Sequence, residues 1–416
     1  MHDGNLNGGR PLTVAFVSPS WPPDAAANGI VTYVDQMVAS LRRMGHQPCI
    51  LGASGSGQWP GVYFLGREPR LPLSRLLDPL AFRVNPFYAI RRRNGEDLRQ
   101  AAARAIAECG VELLEMEETF GLLQLIRPRL PIPVVVRLHG PYFANAEASE
   151  VNFGAAYRRR VRQEGVTISL ADAISAPSAE ILERTRARYG LPLDGASVIP
   201  APAPIVSAQD RWRLDGCDRS RILFLGRFDR HKGGDVVVDC FCALARNFPK
   251  LRLWFTGREA EFLDDDGRSW SLAEYLSRRA PEVAGRVDWL DRQPNSALAA
   301  IRRQAFLTIV ASRYETFGLV ALEAMAHGCP LVATRAGGIA ETVTDGVNGM
   351  LCRPGDPLDM ASQISRLLAD PLLAAKLGHR AGEDAARRYH PDQIASETAK
   401  FHRLQIERWI HREEAP

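Results

Sequence analysis

No run of about 18 or more apolar residues occurs in the 416-residue chain, so no segment reads as a membrane-spanning helix. The opening residues, MHDGNLNGGRPL, lack the apolar stretch of a secretion signal, and the protein is expected to be cytoplasmic. Cysteine is sparse and unpatterned. The seven cysteines form no CxxC pair, and Cys240 and Cys242 would face apart on a helix. All seven are expected to be reduced and mostly in the core, which excludes a disulfide framework. No Walker A pattern occurs, so ATP hydrolysis is not indicated. Neither sign of charge dominates. A net charge of +4 favours anionic ligands weakly and does not point to nucleic acid.

What is present is the make-up of a soluble globular protein, 46% hydrophobic and 24% charged. The length suits two α/β domains of about 150–200 residues each. Two stretches share one plan. The first runs from an apolar strand, Leu12 to Val17, through a polar loop with Pro22, Pro23 and Gly29. A helical pattern (Ile30, Val34, Met37, Val38, Leu41) ends at Gly45, and a second strand covers Pro48 to Leu51. The second stretch runs from Ile222–Leu225 through a basic loop, GRFDRHKGGD, to a helix (Val237, Val238, Phe241, Leu244) and a strand, Leu251 to Phe255. Strand, loop, amphipathic helix, strand is the opening of a parallel α/β sheet, and its repetition predicts two Rossmann-like domains.

Further strands are expected at Val134–Leu138, Ala173–Ala176 and Val198–Ile199 in the first half. In the second half they are expected at Val287–Trp289, Leu307–Val310, Leu331–Ala333 and Met350–Leu351. The Pro-rich segment Pro200 to Asp210 reads as the linker. This gives an N-terminal domain over 1–205 and a C-terminal one over 211–390, with mostly helical chain past Asp356. Ligands of open α/β sheets bind beyond the carboxyl ends of the strands, so residues just after strands are the candidates.

The segment SRYETFGLVALEAMAHGCPLVAT follows the strand ending near Ala311. Glu315 lies in the loop, and Phe317 to Ala326 reads as a helix with Gly318 in its first turn. Unpaired N–H groups and the helix dipole there suit a phosphate. A diphosphate at this point would have Glu315 toward one end and Glu323 toward the other. Either glutamate alone reads more simply as a helix cap or a solvated residue. Their apolar surroundings (Leu319, Val320, Leu322, Met325) weigh toward a site.

Gly226-Arg227 and Lys232-Gly233 lie where a Rossmann unit meets phosphate. Arg grips a diphosphate with two bonds and Lys adds a point charge, so the pair would neutralise a leaving diphosphate. A solvated basic turn is the competing reading. Asn28-Gly29 precedes a helix, and a glycine there permits close backbone approach to phosphate or sugar. His139-Gly140 directly follows VVVRL, at a strand's carboxyl end. The acidic run Asp264, Asp265, Asp266 contains a literal DxD but reads as a solvated loop, so no metal site is expected.

Together these segments resemble family 4 of the retaining glycosyltransferases, with the GT-B fold. The resemblance is strongest from Arg221 to Asp356. ETFGLVALE carries that family's two glutamates separated by seven residues, followed by EAMAHGCPLVAT, GGIAE and DGVNG, and GRFDRHKG supplies its Gly-Arg and Lys-Gly. The resemblance implies two Rossmann-like domains with parallel sheets facing across a central cleft. It implies a nucleotide diphosphate sugar donor (UDP-, GDP- or ADP-linked), no cofactor and no metal. Arg227 and Lys232 would hold the diphosphate, with the backbone of Phe317, Gly318 and Leu319 at the helix start. Glu323 would bind the ribose, Glu315 the donor sugar near its anomeric carbon, His139 the sugar, and Gly29 the diphosphate. Catalysis falls to Glu315, His139, Arg227 and Lys232. The last helix, Ile394 to His411 within about 391–416, would return to the N-terminal domain.

The N-terminal half matches the family poorly, so the acceptor is left open among a glycan, a lipid-linked molecule and a small molecule. Segment Leu71 to Gly95 mixes Leu, Phe and Tyr with Arg75, Arg83, Arg91, Arg92 and Arg93. Packing on the N-terminal sheet is its favoured reading. Weak peripheral contact with an anionic inner membrane face is the alternative. Two other functional classes remain open beside sugar transfer. One is a nucleotide-sugar epimerase or hydrolase on the same fold, which would turn over donor without acceptor. The other is a non-catalytic nucleotide-sugar-binding subunit.

Overall fold

β1 (Thr13–Ser18) is an apolar run that ends in a buried serine, and the chain turns from it into the helix Gly29–Arg43. Asn28 caps that helix, its Oδ1 accepting the N–H of Ile30 at 2.8 Å. Val31, Val34, Met37, Val38 and Leu41 recur at helical spacing and are buried, and Arg42 and Arg43 complement the dipole in the last turn. The structure is a computed structural model that describes residues 10–23, 28–66, 86–118, 121–150, 153–258 and 260–414. Residues 71–85 of the arginine-rich segment lie outside the described residues, and 86–95 begin the helix Pro86–Cys109.

The first sheet contains β1 with β2 (Gln47–Gly52), β3 (Val62–Phe64), β4 (Leu113–Glu117), β5 (Val134–Arg137), β6 (Ala173–Ala176) and β7 (Ser197–Val198). Its order is β3-β2-β1-β4-β5-β6-β7, and every neighbouring pair is parallel. Two of these strands were not expected from sequence. β3 is only three residues long. β4, LLEME, carries two glutamates inside a short run, yet it is the partner of β1 and its Leu113, Leu114, Glu115 and Met116 are all buried.

The second sheet contains β8 (Asp218–Leu225), β9 (Arg252–Thr256), β12 (Val287–Trp289), β13 (Ala305–Val310), β14 (Leu331–Thr334) and β15 (Met350–Cys352). It runs β12-β9-β8-β13-β14-β15, again all parallel. β13 sits between neighbours with all six residues buried; full burial of side chains such as Phe306, Leu307 and Ile309 contributes about 1.5–3 kcal/mol each. A small antiparallel hairpin, β10 (Phe262–Leu263) with β11 (Ser269–Trp270), stands apart from the sheet.

Past Asp356 the chain is helical over Pro357–Ala369, Pro371–Arg388 and Pro391–Glu413. Asp356 and Asp370 each cap a helix whose first residue is proline, a pairing that pre-sets the entry turn. The chain divides into two compact units. Unit 1 comprises Met1–Tyr142, Phe153–Pro202 and Pro391–Pro416; unit 2 comprises Phe143–Asn152 and Ala203–His390. In each sheet the strand order reverses beside its first strand, between β1 and β4 in unit 1 and between β8 and β13 in unit 2. Such switch points are where open parallel sheets receive ligands.

Candidate functional site

In unit 2 the loops that leave β8 and β13 meet at the switch point. The β8 loop carries Arg227 and Lys232 and leads into the helix Gly234–Ala245. The β13 loop carries Ser312 and Glu315. The Lys232 ammonium is 2.6 Å from Glu315 Oε1, and the Ser312 hydroxyl donates to the same oxygen at 2.7 Å. Both charged side chains are partly buried. Burial alone would raise the Glu315 pKa, but the charge of Lys232 prevails, helped by the His231 ring and the two hydrogen bonds, and holds it below the ordinary value. Glu315 is therefore a carboxylate at neutral pH.

The loop itself is fixed by its own acid. Asp229 Oδ1 accepts the backbone N–H of Lys232 at 2.7 Å, while Oδ2 takes the Arg227 Nε at 2.7 Å. Arg227 is half-exposed. A single carboxylate thus ties together the two cations expected to meet a diphosphate. Gly233 has φ +68°, and a Cβ there would run into the carbonyl oxygen of Ala311, so the close approach of the two loops requires glycine.

The helix after Glu315 spans Leu319–Ala326, two residues shorter at its start than the apolar pattern predicts. Gly318 is its N-cap, in the left-handed region at φ +89°, where a Cβ would meet Ile339. A left-handed glycine sets the turn, so the helix cannot begin at Phe317. Phe317 is buried with its ring edge-to-face on Tyr389 at 5.7 Å, which leaves its backbone, not its side chain, on the loop. Gly337 and Gly338 pack directly beneath this loop, and Gly338 N–H donates to the Glu315 carbonyl at 2.9 Å. The first N–H groups of the helix, including that of Leu319, have no partner within the helix, the arrangement that suits an anion.

Glu323 lies on the same helix and pairs with Arg302, whose side chain is almost fully buried. This partner was not foreseen; the two are 21 residues apart and on different elements. Arg313, Asp235, Ser312 and Asp229 were likewise missed, since none stands out from its neighbours in sequence. Of the acidic run, Asp264 accepts from the N–H groups of Asp266 and Arg268 and from the Trp270 indole at 2.8 Å. It serves the β10–β11 hairpin. Among the described residues no group of three His, Cys, Asp or Glu side chains is placed to hold a metal ion.

Unit 1 holds the other expected residues. Gly29 is the first residue of its helix, after the Asn28 cap. One turn on, the Tyr33 ring lies edge-to-face on His139, centroids 4.9 Å apart. His139 follows β5. Burial and the nearby Arg137 guanidinium push its pKa down to about 3, so the ring is neutral. Its backbone N–H and that of Gly140 donate to the two oxygens of Glu118, at 3.0 and 2.9 Å. Glu118 is buried, and burial together with Glu164 raises its pKa to about 8.

Behind His139 lies a buried polar cluster. Glu115 accepts from the Tyr33 hydroxyl at 2.9 Å and lies 2.8 Å from His402 Nε2 on the last helix. The Arg137 guanidinium stacks 4.2 Å from the Tyr33 ring centre. Burial opposes ionisation of Glu115, but the His402 hydrogen bond and charge, then Arg137, hold its pKa low. The local signals for this cluster were charges inside apolar runs, Glu115 in LLEME and Arg137 in VVVRL.

Comparison with known proteins covers both units. Residues 27–204 match the model of Glycosyltransferase Family 4, and residues 219–370 match that of Glycosyl transferases group 1. A D-inositol 3-phosphate glycosyltransferase of Nocardiopsis dassonvillei is 33% identical over 245 residues, 55% of this chain and 54% of that protein. The chain thus spans about half the length of this curated relative. Sucrose-phosphate synthase from Thermosynechococcus elongatus superposes with a TM-score of 0.70 at 21% identity, covering 94% of this chain and 98% of that one. Anabaena HepE, solved in complex with UDP and glucose, superposes with a TM-score of 0.64 at 18% identity, with coverage of 94% and 98%.

Proposed function

The chain belongs to the family 4 glycosyltransferases of the GT-B fold, and from that membership we propose that it moves a sugar from a nucleotide diphosphate donor to an acceptor with retention of configuration and without a metal ion. The observation that carries the reading is the Lys232–Glu315 pair at the switch point of unit 2, with Arg227 tied in through Asp229. A preorganised cation beside an exposed arginine suits a leaving diphosphate, the task that a metal ion performs in other transferases. The complex of Anabaena HepE with UDP and glucose supports a nucleoside diphosphate as the group bound here.

In this reading Arg227, Lys232 and the backbone of Phe317, Gly318 and Leu319 receive the diphosphate. Glu323, steadied by Arg302, accepts from the ribose hydroxyls. Glu315, kept ionised by Lys232, faces the sugar and stabilises positive charge at the anomeric carbon. Gly29 and His139 act from unit 1, a role assigned on family resemblance; a neutral imidazole offers the sugar a hydrogen bond without repelling positive charge. The acceptor attacks the face from which the diphosphate leaves, and the departing phosphate oxygen takes the acceptor proton. Bond breaking and bond making on one face retain the configuration. Acceptors are a glycan, a lipid-linked molecule or a small molecule. The described residues contain no helix long and apolar enough to cross a membrane.

The test is sugar transfer measured in excess EDTA, with the product's anomeric configuration read by NMR. Retention with an undiminished rate is expected. An inverted product, or a rate abolished by EDTA and restored by a divalent ion, would overturn the reading.

A further inference from the structure

The Lys232 side chain is a flexible four-carbon stem and supplies no geometry of its own. Its position depends on where the β8 loop sits against the β13 loop. Besides the Lys232–Glu315 bond, further hydrogen bonds cross between those loops. The Arg313 N–H donates to the His231 carbonyl at 2.8 Å, His231 Nε2 lies 2.9 Å from the Tyr314 carbonyl oxygen, and Arg313 Nη1 donates to the Arg230 carbonyl at 2.7 Å. These contacts lie immediately before Lys232 on one loop and immediately before Glu315 on the other. Arg313 also places both ends of its guanidinium on Asp235, at 2.8 and 2.7 Å, in the first turn of the helix that follows the Lys232 loop. Both side chains of this pair are largely buried. A bidentate arginine–carboxylate pair fixes direction as well as distance.

We infer that the Arg313–Asp235 pair is a positioning clip that holds the Lys232 loop in register with Glu315, and so sets the affinity of unit 2 for the diphosphate of its donor. The inference rests on the donor-site reading above. In the structure Lys232 is engaged by Glu315. An ammonium has three donors, so Lys232 can keep Glu315 and still offer a phosphate a hydrogen bond, provided its loop stays still. Arg313 touches neither Lys232 nor Glu315 through its side chain. It lies between Ser312, which holds the Glu315 carboxylate, and Tyr314, which receives His231. A fork at this place transmits a fixed spacing to both. An exchange for lysine keeps the charge and loses the fork.

The experiment is calorimetric titration of the full chain with UDP, GDP and ADP, for wild type, R313K, D235N, K232A and R313K/K232A, with thermal unfolding of each. Wild type is expected to bind at least one of the three. R313K and D235N are expected to weaken that binding about tenfold, the scale of weakening one charge-assisted contact. R313K/K232A is expected to bind no more weakly than K232A, because the clip acts through Lys232. A pair that merely supports the fold would instead lower the unfolding temperature and add its loss to that of K232A. Wild-type affinity in R313K and D235N, or additive losses in the double variant, would overturn the inference while leaving the functional reading intact. Failure of wild type to bind any of the three overturns the functional reading, and the inference with it. D235N provides the same test should R313K not fold.

Discussion

The carboxyl edges of the two sheets are built alike and furnished differently. Each has a switch point beside its first strand, a loop leading into a helix, and a carboxylate just beyond the neighbouring strand. In unit 2 the charges are at the edge, partly exposed and exchangeable: Arg227, Lys232 and Glu315. In unit 1 the charges are behind the edge: Glu115 is engaged by His402, and Arg137 by the Ile199 and Pro200 carbonyls and the Tyr33 ring. Glu115, Arg137 and His402 are nearly inaccessible, and the residue they back, His139, is neutral. On the proposed reading, the unit 2 edge receives the anion, while the charges of unit 1 are committed to internal partners. Two copies of one architecture thus differ in where they place charge relative to the strand ends.

The comparison breaks most readily at Lys232. K232A is expected to lower the rate of sugar transfer about 10²–10³-fold, the scale of losing one preorganised donor to developing negative charge. An initial-rate assay at saturating donor checks this. R227A should cost less, about tenfold in KM with kcat nearly kept, because Arg227 is half-exposed and its charge is screened.

A third expectation separates the units by pH. Glu118 has its pKa raised from 4.5 to about 8, so between those values the folded chain holds a proton that the unfolded chain releases. Its contribution to stability is present below pH 4.5 and is lost as pH rises toward 8. E118Q should therefore flatten that part of the plot of unfolding temperature against pH. Glu315 acts in the opposite sense. Its depressed pKa contributes stability above the ordinary carboxylate range and loses it as pH falls. An unchanged slope in E118Q would contradict the assignment. The smallest effect is expected at Asp264. D264N should lower the unfolding temperature only slightly, by weakening the hairpin, with the transfer rate unchanged.

Much of this architecture is legible without coordinates, and the exceptions have physical reasons. β8 and β13 announce themselves as apolar runs, so the loops GRFDRHKG and ETFG could be placed at strand ends. β4 was hidden because Glu115 and Glu117 interrupt it. Glu115 is tolerated in a buried strand through Tyr33, through the nearby Arg137 charge and through His402, which lies 287 residues away. No local pattern reports such a partner. The start of the helix at Leu319 was misplaced for a similar reason. The left-handed turn at Gly318 answers to the packing of Ile339, and a helical apolar pattern does not sense it. Pairings of charge, Arg302 with Glu323 and Arg313 with Asp235, are properties of the fold, whereas the presence of the charges is a property of the sequence.

The division between the edges is tested most directly by titrating a nucleoside diphosphate against K232A and H139N side by side, using whichever of UDP, GDP or ADP the wild type binds. Loss of one charge-assisted contact predicts binding weakened about 10–100-fold in K232A. H139N should bind within about threefold of wild type, since its neutral imidazole carries no charge for the diphosphate. Full affinity in K232A, or a loss in H139N as large as that in K232A, would contradict the assignment of the donor to unit 2.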